Sequence, residues 1–406
     1  MLAKTFRQYF ILCGIIAHLV LAIAFVSLVY AKVGDHWRVK AIERWLQGEI
    51  DSSTAFPLHE LSPGNYSYLN IPQGKWLKVH QQSQADDVQF VRQMHSGSAW
   101  DSKRSRLIIV GSDTHGENWD NSLYYFDLRR LKWLRAYEPD SAESYRVDKS
   151  SVAVAGIKAI HPWAMHVFDG VNYSPVDDSL VLSSFPGHLK AKHFKNGGGS
   201  LLGRVKKHPT WIYDFETSRW KVWPGKPVHF FPYASAYDTD RNLVVGFLPN
   251  GIFEFHNNNE GWKKVGKRSV AAWHTQAVYD DKHQCFVLFG TNSYGNAVHV
   301  YRAGDTESQE MPTAGLRPPG ASSPPLAFDS EIGKVVALVD TEIDGEKMAQ
   351  TWLYDTGSDS WSLAVGADFP FKLGMNYHMQ YSKRDNLLVL LTSAAPERPS
   401  VWVLRL

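Results

Sequence analysis

Residues 279 to 290 read Tyr-Asp-Asp-Lys-His-Gln-Cys-Phe-Val-Leu-Phe-Gly: an aromatic residue, an aspartate, a polar turn, and an apolar run that ends at glycine. A short apolar run that is rich in β-branched and aromatic residues and bounded by turn residues predicts a buried strand. The same order recurs in copies that begin near residues 101, 174, 238, 280, 329 and 382. Self-similarity at a spacing of about 50 residues indicates one repeat architecture instead of several unrelated domains.

The second half of each unit is equally regular, because an aromatic strand that often ends in Tyr-Asp is followed by a turn and a tryptophan. Examples are residues 123–127 before Trp133, 211–214 before Trp220, and 352–355 before Trp361. Each repeat unit is therefore predicted to contain four strands. Over roughly residues 65 to 406 this pattern resembles the kelch-repeat family and the wider galactose-oxidase-like propellers, although the double glycine of kelch repeats is mostly reduced to one. The resemblance implies an all-β, six-bladed kelch-like β-propeller.

The last unit lacks a fourth strand of its own. Its third strand is predicted at residues 401–404, and the chain ends at Leu406. Near the N-terminus, residues 74–79 (Gly-Lys-Trp-Leu-Lys-Val) have the pattern of a fourth strand without the other three. Because an exposed strand edge promotes aggregation, we expect this N-terminal strand to pair with the last blade and close it.

The N-terminal segment determines the expected location. Lys4 and Arg7 precede an uncharged stretch, and residues 9–30 are largely apolar. A stretch of about 20 apolar residues is long enough to cross a membrane as a helix, whereas the apolar part of a secretory signal is shorter. Residues 1–31 are therefore predicted to be a membrane anchor or a signal peptide, with the uncleaved signal-anchor favoured, 32–64 a stalk or linker, and 65–406 the propeller. The propeller is expected on the extracytoplasmic side, periplasmic or extracellular.

Composition excludes several classes of protein. The aromatic content of 13%, with 15 tryptophans, is typical of repeated β-sheet architectures. A formal net charge of +2 argues against a nucleic-acid partner. The cysteines, Cys13 and Cys285, are too few for a disulfide framework and lack the spacing of a metal site.

In a four-stranded blade, the connectors between blades and the loops between second and third strands emerge on one face, and long loops there are candidates for function. Such loops are predicted at 112–119, at 136–165 and in the basic segment 184–209. The predicted ligand-binding residues are Arg146, His161, Trp163, His166, His115, Trp119, His274, Tyr377 and His378. Further rim residues are His229, Phe231, Tyr233, Arg268, Trp273, Tyr294 and Asn376.

The chemistry of this rim predicts an acidic glycan as the ligand. Aromatic faces stack on pyranose rings, and arginine binds carboxylates. The alternative interpretation is structural: tryptophan and tyrosine at repeated blade positions form the core, and the basic loop is a solvated insertion.

A copper site is disfavoured, and no cofactor and no metal ligand is predicted. Tyr377-His378 is similar to the adjacent tyrosine and histidine that bind copper in galactose oxidases, and His274 or His95 would supply a further imidazole. However, no cysteine is placed for the thioether-modified tyrosine of those enzymes, since Cys285 falls in a predicted second strand. An acid/base enzyme of this fold would instead draw on His166, Arg146, Tyr145, Asp113 and Glu117, although no spacing fixes their roles.

The leading hypothesis is thus a membrane-tethered extracytoplasmic propeller that binds carbohydrate, in particular an acidic polysaccharide. The alternatives are a sugar-modifying enzyme of kelch-propeller type (epimerase, lyase or oxidase) and a protein-interaction scaffold. The expected partners are the glycan, the membrane through residues 9–30, and other envelope proteins.

Overall fold

Each repeat unit of the sequence forms a four-stranded antiparallel sheet in the computed structural model. The structure describes residues 71–90, 95–112, 118–157, 160–187, 198–256, 261–376, 378–395 and 398–406. All of these residues belong to one compact unit of the chain, Leu58–Leu406.

The strands alternate with short turns along most of the chain. In the first half they are β1 (Leu77–Gln81), β2 (Gly97–Asp101), β3 (Arg106–Val110), β4 (Tyr124–Asp127), β5 (Lys132–Arg135), β6 (Arg146–Val147), β7 (Ala153–Ala155), β8 (His161–Pro162), β9 (Val171–Ser174), β10 (Ser179–Leu182), β11 (Trp211–Asp214) and β12 (Arg219–Val222). A 3-10 helix (Ala142–Ser144) and the α-helix α1 (Gly198–Arg204) lie in the connecting segments.

In the second half the strands are β13 (Ala234–Asp238), β14 (Leu243–Leu248), β15 (Gly251–His256), β16 (Gly261–Gly266), β17 (Gln276–Asp280), β18 (Cys285–Phe289), β19 (Val298–Arg302), β20 (Gln309–Glu310), β21 (Leu326–Asp329), β22 (Lys334–Ile343), β23 (Glu346–Asp355), β24 (Ser360–Leu363), β25 (Met379–Ser382), β26 (Leu387–Ala395) and β27 (Arg398–Leu404).

Six four-stranded sheets follow one another along the chain. We number them sheet 1 (β2–β5), sheet 2 (β9–β12), sheet 3 (β13–β16), sheet 4 (β17–β20), sheet 5 (β21–β24) and sheet 6 (β25–β27 with β1). The first strand of each sheet, which we call its inner strand, contacts the inner strands of two neighbouring sheets, in the order β2, β9, β13, β17, β21, β25 and back to β2. The inner strands therefore form a closed ring, which is consistent with a six-bladed propeller. A three-stranded sheet, β6–β8, lies in the connector between sheets 1 and 2.

The predicted closure of the last unit by an N-terminal strand is confirmed. Strand β1 pairs antiparallel with β27, with Leu77 opposite Val403 and Gln81 opposite Ser400. The side chain of Leu77 is buried, and the indole N–H of Trp76, just before the strand, donates a hydrogen bond to Thr351 Oγ1 at 3.1 Å. Sheet 6 is thus built from both ends of the described chain.

The aspartate that recurs in the sequence caps the turn between the first and second strands. Asp101 Oδ1 accepts hydrogen bonds from the backbone N–H groups of Lys103 and Arg104, at 3.1 and 3.0 Å. Such caps fix tight turns, because the carboxylate replaces a backbone acceptor. The equivalent caps are Asp238, Asp280 and Asp329. The repeated aromatic-Asp pair is therefore a folding signal in the first place.

The predicted membrane segment, residues 9–30, and the predicted stalk, 32–64, lie outside the described residues. Within the part of the chain that the structure does describe, no helix has the length and apolar character needed to cross a membrane.

The role of β1 can be tested by placing a charge on its buried face. We expect Leu77→Asp to lower the free energy of unfolding by about 3 kcal/mol, because an unpaired carboxylate would be buried against β27. The matched control is Gln81→Asp, which puts the same residue on the exposed face of the same strand and should change stability by less than about 0.5 kcal/mol. Urea unfolding followed by tryptophan fluorescence measures both. Equal unfolding midpoints for the two variants would show that β1 does not close sheet 6.

Candidate functional site

The two ends of the ring of inner strands carry different side chains. We call the end at which the inner strands begin the connector face; the residues just before those strands are His95, Phe168, Phe231, His274, Ser323 and His378. We call the end at which they finish the turn face; its turns are capped by Asp101, Asp238, Asp280 and Asp329. The loops between second and third strands, as well as the connectors between sheets, lie at the connector face, as the sequence predicts.

Histidine and phenylalanine rings pack together at the connector face. His95 stacks on His166 with ring centroids 4.3 Å apart. Phe168 stacks on Phe231 at 5.1 Å, and His274 meets the edge of Phe168 at 5.2 Å. We call these five residues the histidine–aromatic cluster.

Residues from the loop between β10 and β11 extend this cluster. Phe185 lies 5.3 Å from Phe231 and 4.6 Å from His229, measured between ring centroids. His208 lies 5.2 Å from Phe185 and 5.9 Å from His229. Rings from the connectors of four sheets and from one long loop therefore meet at one place.

Burial disfavours the charged form of three histidines in this region. It lowers the pKa of His274, and the nearby His95 lowers that pKa further. Burial likewise lowers the pKa values of His229 and His208. Neutral imidazoles each offer one donor and one acceptor, so the region is suited to hydrogen bonding with hydroxyl groups. Among the described residues, no group of three or more histidine, cysteine, aspartate or glutamate side chains could hold a metal ion.

The backbone at the start of several inner strands is held in an uncommon conformation. His95, Phe168 and His274 have φ angles of 66°, 50° and 68°, in the left-handed region that residues with a Cβ rarely adopt. Such positions cost about 1 kcal/mol or more each and are often found at functional sites. At these three positions, the left-handed backbone directs the ring side chains at the ends of the connectors toward one another.

Three of the predicted ligand-binding residues lie close to the starts of the inner strands. His166 and His274 belong to the histidine–aromatic cluster. His378, directly before β25, is buried with its Nε2 3.0 Å from Ser96 Oγ. His115 and Tyr377 lie outside the described residues.

Three others, Arg146, His161 and Trp163, stabilise the connector that contains β6–β8. The indole N–H of Trp163 donates to Val154 O at 2.9 Å, and the residue is 1% exposed, so it forms part of a small core. The guanidinium of the exposed Arg146 donates to Gly156 O at 2.5 Å. His161 Nδ1 lies 2.7 Å from Asp140 Oδ2. Contacts within the connector thus account for these side chains.

Trp119 joins the same connector. Its ring is half-buried and meets the edge of Tyr145 at 5.6 Å, and its carbonyl accepts a hydrogen bond from the Tyr145 hydroxyl at 2.9 Å. The loop that contains Trp119 is therefore fixed to the connector between sheets 1 and 2.

Two rim aromatics are accessible. Trp273 is 55% exposed and Tyr294 is 69% exposed. Trp273 immediately precedes His274, and its carbonyl accepts a hydrogen bond from Asn292 N at 2.7 Å, which joins the connector before β17 to the loop after β18. The connector face thus presents aromatic surface to solvent beside the histidine–aromatic cluster.

Asp169, which with His166 follows the long loop predicted between the first two repeat units, has a property that the sequence did not predict. It follows Phe168, and its Oδ2 accepts a hydrogen bond from the backbone N–H of Ala277 at 3.1 Å. The residue keeps some surface toward the ring interior, but its carboxyl group is enclosed, and this desolvation raises its pKa to about 8. The hydrogen bond from Ala277 and the nearby Gln276 amide act in the opposite direction. Asp169 is therefore protonated at neutral pH.

A cavity of about 540 Å³ lies inside the ring of inner strands. Asp169 lines it near the connector face, and residues of the first turns, such as Thr239 and Lys383, line it at the turn face. The structure therefore offers two candidate regions, an exposed aromatic rim at one end and an enclosed cavity that leads to the other.

No family model matches this chain, and no curated protein is significantly similar to it in sequence.

The unusual carboxyl of Asp169 predicts a pH dependence of stability. The folded protein holds this proton up to about pH 8, whereas an unfolded chain releases it near pH 4, so this group makes stability fall as pH rises between those values. We expect Asp169→Asn to lack that decline and to exceed the wild type in stability at pH 8. The difference should reach a few kcal/mol at most, since each unit of pKa shift corresponds to about 1.4 kcal/mol and solvent in the cavity reduces the effect.

Denaturant unfolding at several pH values between 4 and 9 measures the two stability curves. Both curves contain the opposite contribution of His208, His229 and His274, whose lowered pKa values make stability rise with pH, so their difference isolates Asp169. Asp344→Asn, at an exposed turn, is the matched control and should leave the curve unchanged. Parallel curves for Asp169→Asn and the wild type would rule out a raised pKa at Asp169.

Proposed function

We propose that this chain is a membrane-tethered, extracytoplasmic six-bladed propeller of kelch-like type whose connector face binds carbohydrate, in particular an acidic polysaccharide. The observation that carries the proposal is the exposed pair Trp273 and Tyr294 beside the buried histidine–aromatic cluster. These two side chains provide an aromatic surface at the end of a rigid ring of sheets.

The aromatic surface supports a saccharide as the ligand. The C–H face of a pyranose ring packs on tryptophan or tyrosine, and its hydroxyl groups need donors and acceptors nearby. The Trp273 indole N–H donates to the Tyr233 hydroxyl at 3.1 Å, which holds the exposed ring in place. A ring that is already fixed loses little conformational entropy when a sugar stacks on it.

Exposed cations on the same face support an acidic sugar over a neutral one. Lys206 and Lys207 lie in the loop between β10 and β11, at the connector face, and both are exposed. Their backbone N–H groups donate to Ser151 O at 3.0 and 3.1 Å, which anchors this part of the loop to the connector between sheets 1 and 2. Anchored ammonium groups attract carboxylates in a salt-dependent way.

The N-terminal segment supports the membrane tether. Lys4 and Arg7 followed by the apolar residues 9–30 fit a signal-anchor, which would place the body of the protein outside the cytoplasm. There it would meet cell-surface polysaccharides and other envelope proteins.

A sugar-modifying enzyme is the second candidate, and Asp169 is the observation that favours it. A carboxyl group with a pKa of about 8, in the residue that follows Phe168 of the histidine–aromatic cluster, has the property of a general acid at neutral pH. Turnover separates the two functions: a binding protein releases the polysaccharide unchanged, whereas an epimerase, lyase or oxidase alters it.

The binding proposal predicts that the exposed rim aromatics contribute to affinity. The full chain in detergent should bind polygalacturonate more tightly than the neutral polymer dextran. Replacing both Trp273 and Tyr294 by alanine should weaken the binding of polygalacturonate by about tenfold or more, because the stacking surface is lost. Biolayer interferometry measures the affinities, and thermal unfolding confirms that the variant is folded. Unchanged affinity in the folded double variant would exclude this surface as the site.

The proposed attraction between exposed lysines and an acidic saccharide can be tested by removing those lysines. We expect Lys206→Ala with Lys207→Ala to reduce both the affinity for polygalacturonate and its dependence on salt concentration. Lys132→Ala, an exposed lysine at the turn face, is the control and should leave both unchanged. Equal effects of the two changes would indicate nonspecific attraction to the net charge.

The tether predicts a topology that can be measured separately. A fusion of alkaline phosphatase after Leu406 should be active in a bacterial host and remain with the membrane fraction, because this reporter folds only after export. Deletion of residues 9–30 should leave the fusion inactive and soluble. An inactive full-length fusion would contradict the extracytoplasmic location.

A further inference from the structure

The cavity inside the ring opens toward the turn face, away from the proposed polysaccharide site. Among the residues that line it, Ser102, Thr239, Asp240, Lys383 and Arg384 belong to the turns after the inner strands and are exposed. Asp169 lies at its other end. A ligand in this cavity would therefore enter between the turns and reach inward toward Asp169.

Each inner strand contributes one aromatic ring to the wall of the cavity. These six rings are Trp100, Tyr173, Tyr237, Tyr279, Phe328 and Tyr381. Several of the hydroxyl groups are already bonded to the turns: Tyr173 donates to Asp178 and Tyr279 to Asp240, both at 2.7 Å. The tyrosines are held in place by these bonds, so what they offer to a ligand is mainly ring surface.

The inner part of the cavity contains a polar group that lacks a partner. Gln276 is 4% exposed, and its Nε2 makes no hydrogen bond of acceptable geometry to any described residue, although the amide is close enough to lower the pKa of Asp169. A buried donor without an acceptor costs about 1–3 kcal/mol. An oxygen atom of a ligand would satisfy it.

The charges around the cavity are balanced. At the mouth, Lys383 Nζ lies 3.3 Å from Asp281 Oδ2, and Asp240 and Arg384 add one charge of each sign. Deeper in, the polar groups are amides and hydroxyls such as Gln380, whose Nε2 donates to Ser98 O and Oγ, both at 3.2 Å. Asp169 is protonated at neutral pH, so it adds no charge there. Burying an unpaired charge at this depth would be costly, which disfavours an acidic ligand.

We propose that this cavity is a second ligand site that takes one or two residues of a neutral saccharide through the turn face. The volume falls within the range of about 300–1,000 Å³ that is typical of small-molecule sites. The five half-buried rings, which are all of the six except the buried Tyr173, would pack on the C–H faces of the sugar, and Gln276 would donate to one of its oxygens. The mouth of this cavity lies at the opposite end of the ring from Trp273 and Tyr294, and neither of those residues lines it, so the site does not depend on the polysaccharide proposal.

The test is calorimetric titration of the full chain in detergent with maltose, cellobiose, lactose and galactose, and with galacturonate as the anionic probe. We expect at least one neutral sugar to bind with a Kd in the millimolar range or tighter. Gln276→Leu should weaken this binding by about tenfold, because the donor is lost while the volume is nearly kept. It should not lower thermal stability, since the change removes an unsatisfied buried amide.

A second variant addresses access to the cavity. Thr239→Arg places a long side chain at the exposed mouth, where it should fold normally and hinder entry, so the affinity for the neutral sugar should fall. The double variant Trp273→Ala with Tyr294→Ala should retain full affinity for the neutral sugar, because those residues lie at the connector face.

Three outcomes would overturn the proposal. The first is that no neutral sugar in the panel binds at about 10 mM. The second is loss of neutral-sugar binding in the Trp273 and Tyr294 variant but not in the Gln276 and Thr239 variants, which would place the sugar at the connector face. The third is tighter binding of galacturonate that depends on Gln276, which would show that the cavity takes an acidic ligand.

Discussion

The ring of sheets depends on one pairing between distant parts of the chain, that of β1 with β27. The inner strand of sheet 6, β25, contacts both β21 and β2, so this sheet joins the end of the repeat array to its beginning. Without β1, the outer edge of sheet 6 would expose unpaired backbone donors and acceptors. The buried side of β1 thus stabilises the element that closes the ring, and both candidate sites lie at or within that ring.

The two faces differ because their loops are built differently. At the turn face, short aspartate-capped turns recur from sheet to sheet. Because the residue before each turn is aromatic in every sheet, six aromatic residues surround the mouth of the cavity. At the connector face, the linking segments vary in length and bring rings of different kinds together, such as His95, Phe168 and His274. A regular face and an irregular face on one ring suit two different ligands.

The sequence was sufficient to predict the number of units, their four-stranded order and the closure by an N-terminal strand, which was expected at residues 74–79 and lies at Leu77–Gln81. Each of these follows from a local signal, such as an apolar run, a turn-capping aspartate, or an edge without a partner. The roles of Arg146, His161 and Trp163 could not be read in the same way. They lie in, or directly after, strands of two residues in an irregular connector, where no periodicity shows which side chain is buried. The raised pKa of Asp169 could not be predicted for another reason: its carboxyl accepts a hydrogen bond from Ala277, more than a hundred residues later, and the enclosure that raises its pKa is a property of the assembled ring.

Amide hydrogen exchange of the full chain, with and without an oligogalacturonate, tests most directly that the connector face binds an acidic saccharide. We expect slower exchange in peptides that cover residues 204–209, 267–275 and 290–296 when the saccharide is bound, and no change at the turn face. Protection confined to the outer strands β5, β12 and β16, or no protection at saturating saccharide, would contradict it.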